Sequence, residues 1–164
     1  MQVVNKETPL WAYLGEDIKG LLQDGEVLVS DAKEKTEKIS DYSYLVFPFS
    51  KAYEGFLKRL FLDLQLIKED EYYGDEIRIG RILNPHYLED HGNVFKNLCR
   101  SSDGGNAFAE ELWTLWKRGR NRVFHYFPHN FRKLSFEEAL EIIKGIVGAM
   151  EEAVTVCYLE GDVS

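Results

Sequence analysis

A chain of 164 residues is normally a single domain with one core, and 45% hydrophobic with 13% aromatic residues are enough to build it. The charged fraction of 29% is ordinary and argues against disorder, and no apolar run approaches the ~20 residues that a membrane span needs. A net charge of −8 argues against general affinity for nucleic acid, Met1 to Glu7 lack a signal-peptide h-region, and Cys99 and Cys157 have no CxxC spacing, so buried free thiols in a cytoplasmic protein are the expectation.

In chain order, Thr8-Pro9 reads as an N-cap followed by proline at N1. It opens a helix through Leu10, Leu14, Ile18 and Leu21 that is expected to end near Asp24-Gly25. Glu26 to Ile39 reads as a second, more polar helix. Asp41 is placed to cap the next helix, from Tyr42 to about Ile67. Leu45, Phe49, Tyr53, Phe56, Leu60, Leu64 and Ile67 form its core stripe, and Pro48 is expected to kink its first turns. Phe47, Phe61 and Leu62 lie off the stripe, which suggests a second buried side covered by another subunit.

Residues 69–105 read as an irregular insertion, and segments of this kind often carry specificity. Within it, Ile77, Ile79 and Ile82 after Gly74-Asp75 suggest a short β-hairpin, and Val94 to Leu98 a brief helical turn. His86 and His91, with Glu89 and Asp90, match no common metal-site spacing, so no metal or other cofactor is expected. Asn106 is a good N-cap for a helix whose face carries Phe108, Leu112, Leu115, Trp116, Gly119 and Val123. Pro128 ends that helix at or before Phe127. Ser135 and Glu138 form a capping box for a last helix carrying Leu140, Ile143, Ile146, Val147, Met150, Ala153 and Cys157. The expected fold is all-α, an antiparallel bundle with residues 1–40 as an N-terminal helical segment and 41–164 as the main helical domain.

The charge is unevenly distributed. From Leu112 to Phe136 there is no Asp or Glu, and the window carries +6, so the remainder carries −14. A concentrated basic patch on an acidic body binds phosphate locally while the body repels nonspecific contacts. Lys117, Arg118, Arg122, His129, Arg132 and Lys133 are therefore RNA-binding candidates, with Tyr126 as a residue able to stack on a base. Trp113 and Trp116 read as core.

Inside this window, Arg120-Asn121-Arg122-Val123-Phe124-His125 sets a fixed cation beside an imidazole. Arginine stabilises phosphate charge and imidazole titrates near neutral pH, a pairing suited to phosphodiester chemistry without a metal. The spacing alone is common: with four to six intervening residues allowed, Arg81 to His86, Arg118 to His125 and Arg122 to His129 match as well. Only Arg120 is followed by a small polar residue and paired with a histidine ahead of the helix-ending proline. At ~100° per residue, Arg120 falls about 80° from the centre of the apolar stripe and His125 far round the other side. Either the length of the arginine closes the gap or the helix unwinds before Pro128.

Arg-Asn-x-x-x-His at the end of a penultimate helix resembles the signature of the HEPN superfamily. Ser50-Lys51-Ala52-Tyr53-Glu54-Gly55-Phe56-Leu57-Lys58 looks like the first core helix of its RNase LS toxin branch. The resemblance covers roughly Asp41 to Leu159 without the insertion. It implies a metal-independent endoribonuclease toxin of a toxin–antitoxin or antiviral system, acting as a homodimer and held silent by an antitoxin protein. It also implies catalytic roles for Arg120 and His125, joined by Glu54, with Asn121 orienting the phosphate or the imidazole. The related HepT-type toxins carry a tyrosine two residues after the histidine; here that position is Phe127, with Tyr126 beside it. Many HEPN domains lack nuclease activity, so a non-catalytic binding module is the alternative.

Overall fold

The computed structural model describes residues 1–35, 39–90, 92–98 and 107–159. The chain opens on the expected cap: Thr8 Oγ1 accepts a 3.4 Å hydrogen bond from the Trp11 N–H, and Pro9 begins helix α1 (Pro9–Tyr13). Extended backbone at Leu14 and Gly15 breaks the helix, which restarts as α2 (Glu16–Glu34). The break thus comes earlier than the sequence suggests, and α2 runs straight through Asp24-Gly25. Packing explains the glycine: a Cβ on Gly25 would sit 2.5 Å from Phe49 Cε2. Gly25 is a close-approach residue inside the helix, not a terminator.

A 3-10 turn (Ser43–Leu45) leads into the central helix α3 (Phe47–Asp63). Pro48 lies in its first turn, where a missing N–H costs nothing, so it starts the helix instead of kinking it. Gln65, with φ at 57°, turns the chain away ahead of the expected end at Ile67. The predicted stripe is buried except for the half-buried Leu64, and so are Ala52, Leu57 and Phe61 on other sides. Phe61 is fully covered within the chain, so it needs no second subunit; Phe47 stays 53% exposed.

Two short helices follow, α4 (Glu69–Tyr73) and α5 (Ile79–Ile82), with 3-10 turns at Pro85–Tyr87 and Phe95–Asn97. Among the described residues there is no strand, so the predicted hairpin gives way to helical turns. Ile79 and Leu83 are buried against the core, a helical i, i+4 pair that overrides the alternating pattern. The helical turn expected near Val94–Leu98 is present. His91, Cys99 and the Asn106 cap lie outside the described residues.

Helix α6 (Ala107–Trp116) passes into a π-helical turn (Lys117–Asn121), and regular structure stops there, six residues before Phe127. Helix α7 (Phe136–Val154) begins at the predicted capping box: Ser135 Oγ accepts from the Glu138 N–H at 3.1 Å, and Glu138 Oε2 from the Ser135 N–H at 2.7 Å. Cys157, in the π turn after α7, is disulfide-bonded, which corrects its reading as a free thiol. Leu10, Leu22, Phe56, Leu112 and Ile143 join one core, so residues 1–35 and the main helices form a single unit. No helix among the described residues is long and apolar enough to cross a membrane.

Two polar ties hold α3 to the chain around the π turn. The buried Ser50 hydroxyl donates to the Gly119 carbonyl at 2.5 Å, and the buried Tyr53 hydroxyl to the Leu112 carbonyl at 3.1 Å. Asp41 makes a third tie, at the entry to α3. Its Oδ1 accepts from the Ser43 N–H (2.9 Å), Ser43 Oγ (2.6 Å) and the Leu134 N–H (3.1 Å), and its Oδ2 from Asn130 Nδ2 (2.9 Å). Burial opposes charge on this carboxylate, but those four donors outweigh it and hold its pKa at about 2.

Replacing Ser50→Ala leaves a buried carbonyl without its donor and is expected to lower unfolding stability by about 1–3 kcal/mol in a urea titration. For Asp41 the folded pKa lies below the unfolded value, so its contribution is complete above about pH 4 and is lost as pH falls towards 2. Asp41→Asn should therefore melt below the wild type at pH 7. The gap should narrow as a thermal melt is repeated between about pH 4 and about pH 2.

Candidate active site

Phe47, Ser50, Lys51 and Glu54 stand at i, i+3, i+4 and i+7 on α3, and so share one face. That face forms one wall of an open cleft of about 630 Å³. The facing wall comes from Trp116 at the end of α6 and from Arg120 and Asn121 in the π turn, continued by Phe124 and His125. Arg78, Ile79 and Gly80, at the start of α5, line the remaining side.

The π turn brings the two walls into register. It fits one more residue into a turn than an α-helix does, so side chains beyond it are rotated from their regular positions. Gly119 lies deep in this turn; a Cβ there would sit 2.9 Å from Ile146 Cδ1 of α7. The absent side chain lets the turn settle between α3 and α7, where Ser50 captures its carbonyl. The next residue, Arg120, then faces Glu54, one turn along α3 from Ser50. Beyond Asn121 the helix is gone, and His125 returns to the same cleft through a bend. Of the two ways to unite the pair, the chain takes unwinding.

Arg120 is held on two sides. Its Nη1 donates to Glu54 Oε2, and its guanidinium carbon lies 4.9 Å from the centroid of the Trp116 ring. A guanidinium has five N–H donors, so this one ion pair leaves most of them for a ligand. Lys51 and Arg78 are exposed and make no ion pair among the described residues. Three cations against one carboxylate give the lining a surplus of +2 with His125 neutral, on a chain of net charge −8. At the mouth, the Phe47 and Phe124 rings meet edge to face, with centroids 5.6 Å apart. In the wall, Trp116 Nε1 is buried without a hydrogen-bond partner among the described residues, and a Cβ on Gly80 would lie 2.9 Å from it.

Glu54, Arg120, Asn121 and His125 thus line one cleft. The residues read as RNA-binding do not line it. Arg118 is paired with Glu141 at 2.8 Å, and Lys117 lies over the Trp113 ring at 5.5 Å. Arg132 stacks on Phe127 at 3.6 Å, and Lys133 borders a separate hollow beside Tyr42 and Phe136. Arg122, Tyr126 and His129 are exposed on the loop after the π turn, where His129 and Asn130 take left-handed backbone, at φ 61° and 48°. Trp113 and Trp116 are buried, as expected of core.

Sequence reasoning passed over Phe47, Lys51, Arg78 and Phe124. The spacing of Phe47 and Lys51 from Glu54 on one helix was a usable signal. Arg78 had none, since only the folded path of the connection brings it to the cleft. No protein-family model matches the chain, and no curated protein or solved structure matches it significantly.

Proposed function

We propose that this chain is a metal-independent endoribonuclease of the HEPN type, working as the toxin of a toxin–antitoxin or antiviral system. The observation that carries the reading is the convergence of Arg120, Asn121, His125 and Glu54 in one electropositive cleft. Three separate stretches of an acidic chain supply its cations, an arrangement suited to a phosphate.

RNA cleavage of this kind needs attack of a 2′-hydroxyl oxygen on the adjacent phosphorus. A base takes the 2′ proton, an acid protonates the departing 5′ oxygen, and a cation stabilises the crowded phosphorane. His125 serves as acid or base. Arg120 holds the non-bridging oxygens with the donors that Glu54 leaves open, a task for a planar guanidinium. Glu54 fixes that guanidinium, and Asn121 orients the phosphate or the imidazole. A second copy of the chain, placed across the cleft mouth, would supply the paired motif, and an antitoxin would cover the same opening.

A second reading, a non-catalytic binding module of the same type, draws on the Glu54–Arg120 pair, which already neutralises part of the arginine's charge. A purified protein that binds RNA and never cuts it would favour this reading.

His125→Ala is expected to cut cleavage of a fluorogenic RNA by roughly 10²–10⁴-fold, with the circular dichroism melt unchanged. Arg120→Ala should lose cleavage to a comparable extent, and Arg120→Lys should not restore it. Wild-type cleavage should persist in chelator. Full activity in either alanine variant, in preparations free of host nuclease, removes the assignment.

A further inference from the structure

We propose that Phe47 and Phe124 form a stacking platform for one unpaired nucleobase at the mouth of the cleft, with Arg78 holding a neighbouring phosphate. The inference deepens the ribonuclease reading and rests on it for the identity of the polymer.

Aromatic residues of a folded chain are normally covered. These two lie in a hollow whose lining carries a surplus of cations and remain 53% and 41% exposed. They are not loose. Phe47 sits in the first turn of α3, and the two rings brace each other at an interplanar angle of 78°. Rigid, exposed rings beside cations are the components from which proteins build sites for single-stranded nucleic acid, because every base has a π-face. A base inside a duplex is already stacked on both sides, so a platform at the mouth of a hollow selects for a nucleotide out of its helix.

The cations are suitably divided. Arg120 is engaged by Glu54 and stacked on Trp116, whereas Arg78 reaches the cleft from a different segment and has no ion-pair partner among the described residues. Two guanidinium groups on different segments suit two successive phosphates of a strand. The charge surplus of the lining suits any anionic strand, an acidic peptide included, and the rings are the part of the site that favours one carrying bases.

The test is fluorescence anisotropy with a labelled oligoribonucleotide carrying 2′-O-methyl groups, which cannot be cleaved, so binding is read independently of chemistry. The single strand is expected to bind at least tenfold tighter than the same strand annealed to its complement. Phe124→Leu and Phe47→Leu should each weaken the single strand by about tenfold, and Phe124→Trp should restore it. Arg78→Gln should lower the slope of log affinity against log salt by about one, while the leucine variants leave that slope unchanged.

Equal binding of duplex and single strand, wild-type affinity in both leucine variants, or equal competition by inorganic polyphosphate would overturn the platform. So would absence of binding by the wild type. None of these results touches the cleavage assay with His125→Ala, which decides the ribonuclease reading separately. All four substitutions are at exposed positions, and thermal melts of each variant identify any loss through misfolding.

Discussion

One hydrogen bond, from the Ser50 hydroxyl to the Gly119 carbonyl, sets the geometry of the cleft. Ser50 is the one buried polar residue in the core of the described chain, and a buried hydroxyl without a partner is costly. Its acceptor is a carbonyl in a π turn, where the regular ladder is disturbed. Because Ser50 and Glu54 lie one turn apart on α3, and Gly119 and Arg120 are consecutive, the first contact places the second. The ion pair at the cleft wall is thus a consequence of packing one layer deeper.

The Asp41 network does for the histidine loop what Ser50 does for the arginine. It joins the entry to α3 to Asn130 and Leu134, on the far side of the bend that carries His125. The loop holds one 3-10 turn, Pro128–Asn130, and left-handed backbone at His129 and Asn130 costs energy that neighbouring contacts must offset. A low-pKa carboxylate with four donors supplies such contacts. Both ends of the candidate site are therefore referred to α3, the most deeply buried helix.

Much of this was legible in the residues. The stripe on α3, the Thr8-Pro9 cap and the Ser135/Glu138 box depend on local spacing and appear as expected. Local rules fail where packing decides. Asp24-Gly25 reads as a stop, yet Phe49 requires the missing side chain within a continuing helix. Ile77 and Ile79 alternate like a strand, yet a buried i, i+4 pair draws the segment into a helical turn. The Arg120–His125 pair was legible as a pair, but not the device that unites it, since no propensity rule marks a π turn. The basic window overstated the site: charge density along the chain says nothing about which cations share a hollow, and several are occupied by Glu141 or by aromatic faces.

The π turn also has a genetic meaning. It differs from an ordinary helical turn by a single residue, so the loss of one codon between Trp116 and Asn121 restores a continuous α-helix. The hydrophobic seam of α6 lies upstream and is untouched, while the guanidinium and everything after it swing round the axis by about a quarter of a revolution. A one-residue deletion there would thus turn Arg120 away from Glu54 while leaving the packing of α6 in place.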